Sequence, residues 1–388
     1  MQHGGATAFD FALITSAYSL CQMISAPLLG ALSDRIGRRP VLLTGILAST
    51  ALYFVMAEAE TAHQLLLVRA VLGFANGTEP TGIAYISDLT SKEDRLDWVN
   101  LQMMIETMGA LLGPAVGGYL APYGFPFLCR VMGFICALNF AMGVFFFTEP
   151  RTLRFSSYCT SPISEEIEQS ERSAWQACLG HFRHPSTGPL LFAGFLDSFA
   201  LAISDGPEAY YLRDAFSFGE FDLGKFFMVC SASTLVVSKL VPLLRSCCDH
   251  ERVICVAFSV LSAVAMETMF MCQERWIPYV YGAFIASTST VVEVISKTAL
   301  LRTLVHEDEQ GAIFGMECAL LRAGFSLGPP IGGALYDCVH RAVPYALSAV
   351  CFLLSAAAYS SLPAGGAGQS APLPAGQPHH IQRTTSRL

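Results

Sequence analysis

Long apolar stretches recur along this chain at short intervals, separated by brief polar turns. A helix that crosses a bilayer needs about 20 mostly apolar residues. Stretches of that kind cover 11–32, 41–57, 63–87, 98–120, 125–147, 188–206, 223–244, 252–272, 277–301, 311–335 and 342–361. The pattern predicts an all-α, multi-pass membrane protein with eleven visible spans. The segment 150–187 breaks the rhythm. It contains Ser164-Glu165-Glu166-Ile167-Glu168-Gln169-Ser170-Glu171-Arg172, too polar to cross, and reads as a cytosolic linker with one amphipathic helix around Ile163 to Trp175. From Ala364 onward the chain is rich in Gly, Pro, Ser and Gln and is expected to stay disordered. The expected organisation is an N-terminal helical bundle over 1–149, a linker over 150–187, a C-terminal bundle over 188–363 and a tail over 364–388.

Composition removes the soluble alternatives. Of 388 residues, 53% are hydrophobic and 14% charged, and the mean hydropathy is +0.48. A soluble domain carries about a quarter charged residues, so this chain lacks the polar surface of an aqueous globule. The net charge of −8 comes without any basic patch, which excludes a nucleic-acid partner. Most of the 13 cysteines, among them Cys21, Cys136, Cys230, Cys255 and Cys351, fall inside apolar runs with neither metal-ligand nor disulfide-framework spacing. Met1 to Gly5 has none of the features of a signal peptide. No P-loop, H-E-x-x-H or G-x-S-x-G is present, so no nucleotide, metal, cofactor or enzymatic reaction is expected.

Lysine and arginine set the orientation. With the loop after the first span in the cytosol, alternate loops place 14 basic residues inside, from Arg35, Arg38 and Arg39 to Arg383 and Arg387. The opposite side holds 4: Arg213, Lys225, Arg275 and Arg341. The linker and C-terminus are then cytosolic, and an odd number of spans puts the N-terminus outside. The chain also repeats itself. Gly109-x-x-x-Gly113-Pro114-x-x-Gly117-Gly118-x-Leu120 recurs as Gly324-x-x-x-Gly328-Pro329-x-x-Gly332-Gly333-x-Leu335, 215 residues later, as expected of a parallel repeat of two halves. Glycines spaced by four let helices approach closely and the prolines bend them, so packing and gating are both open readings of these motifs.

The loop after the first span reads Gly30-Ala31-Leu32-Ser33-Asp34-Arg35-Ile36-Gly37-Arg38-Arg39-Pro40. This G-x-L-x-D-R-x-G-R-R-P string resembles the loop signature of the major facilitator superfamily. Arg69-x-x-x-Gly73-x-x-x-Gly77 is similar to the superfamily's fourth-helix pattern. Asp88 and Arg95 fit the cytosolic loop after that helix, and the glycine-proline motif resembles that of drug/proton antiporters. The N-terminal half most resembles the tetracycline-resistance type of exporter. The resemblance implies two pseudo-symmetric six-helix bundles around one cavity, and a loop at Gly30, Asp34, Arg35, Gly37, Arg38 and Arg39 that latches the bundles on the cytosolic side. It also implies a first helix that has no counterpart here, for which a truncated gene model or alternative start is the expected reason. The C-terminal copy of the loop signature, Leu240 to Asp249, is degraded.

Read without the family, the loop has its own logic. Glycine permits the tight reversal, Pro40 starts the next helix, and Asp34 is placed to meet basic groups or a helix N-terminus. Charges inside spans are expensive and therefore functional candidates: Arg69, Glu79, Glu106, Asp197, Lys239, Glu267, Glu293, Lys297, Glu317 and Arg322. Arg69, Gly73 and Asn76 fall on one face of a continuous helix, with Glu79 near it, so a carboxylate beside an arginine is expected to exchange a proton for substrate. Glu293 and Lys297 lie one turn apart and are expected to pair structurally. The candidates for substrate and proton handling are Arg69, Asn76, Glu79, Glu106, Asp197, Glu267 and Glu293. Tyr210, Tyr211 and Phe227 are candidate cavity aromatics. The expected function is secondary transport of a small organic solute by alternating access, with proton-coupled export, in the plasma membrane or an organelle membrane. A facilitative or otherwise coupled carrier of sugars or organic anions shares the fold, and a non-transporting receptor or scaffold is the reading from another class.

Overall fold

A computed structural model describes residues 7–90, 95–149, 187–247, 250–268, 274–303 and 307–362. The amphipathic helix expected in the linker and the C-terminal tail lie outside the described residues. The architecture is helical throughout: α1 (Ala8–Ile36), α2 (Arg38–Ala57), α3 (Ala62–Ala75), α4 (Glu79–Leu89), α5 (Arg95–Leu120), α6 (Phe125–Phe146), α7 (Thr187–Phe216), α8 (Glu220–Cys247), α9 (Glu251–Thr268), α10 (Ile277–Thr303), α11 (Glu307–Cys338) and α12 (Val343–Ser360). Among the described residues, seven helices are long and apolar enough to cross a membrane. Phe134, Phe145 and Phe146 stand on the outer surface at 67%, 82% and 75% exposure, as side chains facing lipid do. The chain is an integral, multi-pass membrane protein.

Two elements differ from expectation. The span predicted over 63–87 is broken at Asn76–Thr78 into α3 and α4, so the continuous face joining Arg69, Asn76 and Glu79 does not exist. The break arises from contacts. The Asn76 amide donates to Tyr18 Oη (3.2 Å), its Oδ1 accepts from Ser49 Oγ (2.6 Å), and its carbonyl accepts from Gln22 Nε2 (3.2 Å). Gly73 and Gly77 lie directly against α1 at Tyr18 and at Ser25-Ala26, where any side chain would collide. Pro80 then enters in the first turn of α4, where its missing N–H costs nothing. The second difference is α7, which continues ten residues past its predicted end at 206. The apolar stretch ends at Gly206, before Pro207, but here Gly206 is seated on the Pro329 carbonyl of α11 and the helix continues. Proline within a span is tolerated where neighbouring helices support the backbone.

The reversal between α1 and α2 takes a single residue. Gly37 adopts φ +110°, a conformation that a side chain disfavours. In the first half α1 packs on α3 and α2 on α6. In the second, α7 runs along α11 and α12, α9 along α10 and α12, and α8 along α10. Most contact between the halves comes from α1 with α11 and α5 with α8, and α1 also meets α7.

The two glycine-proline motifs are used differently. On α11, Gly324 meets Ser198 and Phe199, Gly328 meets Ala202 and Ile203, and Gly332 meets the Ile203 carbonyl, so α7 lies backbone-close along this ridge. On α5, Gly109, Gly113 and Gly117 have nothing within 4 Å among the described residues, and only Gly118 is in contact, with Gly224 of α8. A Gly332→Ala substitution drives a methyl group into the Ile203 carbonyl and should lower stability by about 1–3 kcal/mol. Gly194→Ala, in a helical position with open space around it, should be neutral or raise stability by up to about 1 kcal/mol. Thermal unfolding in detergent, tracked by size-exclusion chromatography, compares the two.

Candidate functional site

The contacts between the halves concentrate at one end of the molecule, the end that the charge count puts outside. The Phe9 N–H donates to Asp337 Oδ2 (2.8 Å), and Gly333 lies against Phe9 and Ala12, fixing the start of α1 to the end of α11. A Cβ on Gly118 would come within 2.9 Å of the Gly224 Cα, so α5 and α8 touch backbone to backbone. Tyr336 Oη donates to Asp214 Oδ2 (2.9 Å), tying α11 to α7 at the same level. Towards the opposite end, Gly30 of α1 has nothing within 4 Å among the described residues. A cavity of about 380 Å³ lies at this same end, with Phe11, Pro114, Tyr210, Arg213, Glu220 and Phe227 among its walls. Tyr210 and Phe227 are thus cavity residues, whereas Tyr211 is buried against Tyr345 in the core of the second half.

The loop between α1 and α2 is a dense polar cluster. Arg38 is its centre, meeting Asp34 at 2.5 Å, Asp88 at 3.2 Å and Ser33 Oγ at 2.6 Å. Arg39 donates to the Val144 carbonyl (2.8 Å), and Arg35 is exposed. The first turn of α2 has no side-chain cap of its own. The Glu149 carboxylate supplies one, accepting from the Arg38 N–H at 2.8 Å and the Arg39 N–H at 3.1 Å. An acid at a helix N-terminus satisfies orphan donors and meets the positive end of the helix dipole. Among the described residues, the hydrogen-bond and ion-pair partners of Asp34, Arg38 and Arg39 belong to the first half.

Half-way along the 32-residue α11, the Arg322 guanidinium donates to Glu79 Oε2 at the start of α4. This ion pair reaches from one half of the chain to the other, 243 residues apart, and both side chains remain partly accessible, at 26% and 43%. Sequence reasoning selected both as intramembrane charges but placed Glu79 beside Arg69. Arg69 instead stacks over the Tyr18 ring, 5.9 Å from its centroid.

The remaining candidates are scattered. Asp197 accepts from Tyr359 Oη (3.0 Å), its other oxygen is enclosed without a hydrogen-bond partner among the described residues, and Glu293 of α10 lies within electrostatic reach. Glu267 is exposed in the last turn of α9, at the helix end rather than inside the span. The side chains of Glu106 and Lys297 lie outside the described residues, which leaves the expected Glu293–Lys297 pair there too. Three acids escaped sequence reasoning: Glu149, because it sits at the edge of the linker, and Asp205 and Glu208, because Asp-Gly-Pro-Glu looks like a turn. In the structure both are on α7, close enough to interact, with Cys230 and Tyr345 in electrostatic reach of each.

Comparison with known proteins gives a consistent lineage. A family model described as Major Facilitator Superfamily matches residues 1–316. The class C tetracycline resistance protein of Escherichia coli is 36% identical over 149 residues, 38% of this chain and 37% of that protein. The class E protein of the same organism is 34% identical over 34% of each chain, so this chain spans about a third of these relatives' length. Mouse major facilitator superfamily domain-containing protein 10 is 23% identical over 88% of this chain and 76% of its own length. Among solved structures, the human organic anion transporter MFSD10 (TETRAN) superposes with a TM-score of 0.64 at 19% identity, over 90% of this chain and 83% of that one. A D-xylose-proton symporter gives 0.70 at 13% identity, over 92% and 88%.

The Glu149 cap makes a separable prediction. Glu149→Gln keeps the shape but loses the charge facing two backbone N–H donors, and should cost about 1 kcal/mol. Chemical denaturation monitored by tryptophan fluorescence should show the midpoint shifting down, and Glu149→Ala should shift it further.

Proposed function

The chain belongs to the Major Facilitator Superfamily, and on that footing we propose that it is a secondary transporter moving a small organic solute by alternating access, with export coupled to protons. The observation that carries this reading is the Glu79–Arg322 pair, an acid and a base from opposite halves meeting half-way along α11. Charges there are costly unless they have work to do. A pair split between two halves opens whenever the halves rock apart, so its members meet solute and proton at the step where access changes. The backbone-close contacts between the halves at the outer end fit a state closed on that side. The tetracycline resistance proteins among the relatives support export, and the D-xylose-proton symporter supports proton coupling on this fold.

A second reading, a carrier of organic anions, is favoured by the likeness to the MFSD10 organic anion transporter along 90% of the chain and by the accessible arginine half-way along α11. No residue in either reading is assigned a catalytic role. The test is flux. Purified protein in proteoliposomes is offered tetracycline, xylose and carboxyfluorescein, with and without a pH gradient. Flux of one of them should rise several-fold with the gradient and collapse on adding a protonophore. Equal flux in all conditions makes the protein a facilitative carrier, and no flux of any solute overturns the transport reading.

A further inference from the structure

We propose that Asp337 is a latch on the outer end of the molecule: its carboxylate caps the first turn of α1 across the two halves, and loss of that bond shifts the protein towards a state open on the outside. The inference rests on the alternating-access reading above and names a contact that sets the balance between its two states.

Asp337 is badly placed for its own helix. It is the next-to-last residue of α11, where the free carbonyls carry partial negative charge, and no basic residue stands in that last turn. The opening turn of α1 offers the opposite environment. Its free N–H groups carry partial positive charge, and Asp337 Oδ2 accepts from one of them, the Phe9 N–H, at 2.8 Å. The acid therefore repels the end of its own helix and complements the start of a helix in the other half. α1 also has a capping box of its own. Thr7 Oγ accepts from the Asp10 N–H (3.2 Å), and Asp10 Oδ2 accepts from the Thr7 N–H (3.0 Å). That box leaves the Phe9 N–H to the second half.

The bond is of a kind that can break and re-form. Asp337 is exposed at the helix end, so water replaces both partners when the halves separate, and no orphaned group blocks the motion. Gly333, one turn earlier on α11, lies against Phe9 and Ala12 and brings the two helix ends within reach. That contact and the meeting of Gly118 with Gly224 fix how closely the halves approach. They are packing of surfaces without charge, whereas the Asp337 bond is directional and carries a charge. The neighbouring polar contact, Tyr336 Oη to Asp214, stays within the second half.

The experiment reads the outer end directly and needs no solute. Spin labels are attached through unnatural amino acids, which leaves the native cysteines in place, at Tyr123 in the turn between α5 and α6 and at Val339 after α11. Both positions are exposed, at 65% and 64%, and they belong to opposite halves. Distances are measured by pulsed electron resonance on the full chain in detergent. Asp337→Ala should raise the ratio of long to short distances about three- to tenfold, and Asp337→Asn, which keeps an acceptor without the charge, should raise it less. Phe9→Pro removes the N–H donor in a first turn that accepts proline, and should open the end as Asp337→Ala does, whereas Phe9→Ala should not. The double variant Phe9→Pro with Asp337→Ala should open no further than either single change, as expected of two partners in one bond. Asp214→Asn removes an acid at the same end that has its partner in its own half, and should leave the distances unchanged. An unchanged distribution in Asp337→Ala, equal opening by Asp214→Asn, or fully additive effects of Phe9→Pro and Asp337→Ala overturns the proposal. Flux in proteoliposomes with distances indifferent to Asp337 removes the latch and leaves the transport reading intact. Distances that respond to Asp337 without flux of any solute do the reverse.

Discussion

Inside a bilayer, helices gain nothing by hiding apolar side chains from one another, because lipid tails are equally apolar. Close approach of backbones over small residues replaces that driving force, and the architecture here depends on it. Gly73 and Gly77 bring the broken third span onto α1, while Gly324, Gly328 and Gly332 seat α7 on α11. Gly118 against Gly224 closes the outer end between the halves. The polar contacts come second: Asn76 knits α1, α2 and α3 only because the glycines around it have brought those helices within hydrogen-bond range.

Much of this was legible in the sequence. A spanning helix announces itself by length and apolarity, and Arg38–Ala57, Glu220–Cys247 and Val343–Ser360 lie within a few residues of where the apolar stretches put them. The Gly37 reversal was legible too, since so short a turn needs a positive φ. What stayed hidden is whatever depends on a distant partner. At residue 76 the Asn76-Gly77 dipeptide and Pro80 signal a break that the apolar length of the stretch overrode, while the groups that hold it open, Tyr18, Gln22 and Ser49, are distant in sequence. Nothing near residue 206 says that Pro207 is carried through, because its support is Pro329. The midplane charges could be picked out one by one, but which acid meets which base is a property of how the halves dock, so Glu79 was matched with the wrong arginine.

The repeated glycine-proline motif shows the same limit from the other side. Its two copies share every defining residue, yet one is a seat for a neighbouring helix and the other, over Gly109, Gly113 and Gly117, is bare among the described residues. A motif of this kind specifies a surface on which a backbone can lie. It does not specify whether one does, and a reading of gating or of packing from the string alone assigns to the motif what belongs to its surroundings.

Glu149 links two levels of the molecule that are far apart in sequence. It is the last described residue of the first half, and its carboxylate grips the opening turn of α2 beside Gly37. The chain from residue 150 onward is covalently attached to that grip. The end of the first bundle is thereby tied, through two backbone hydrogen bonds, to the turn that separates the first two helices, so its outgoing chain starts from a fixed point and not from a free helix end.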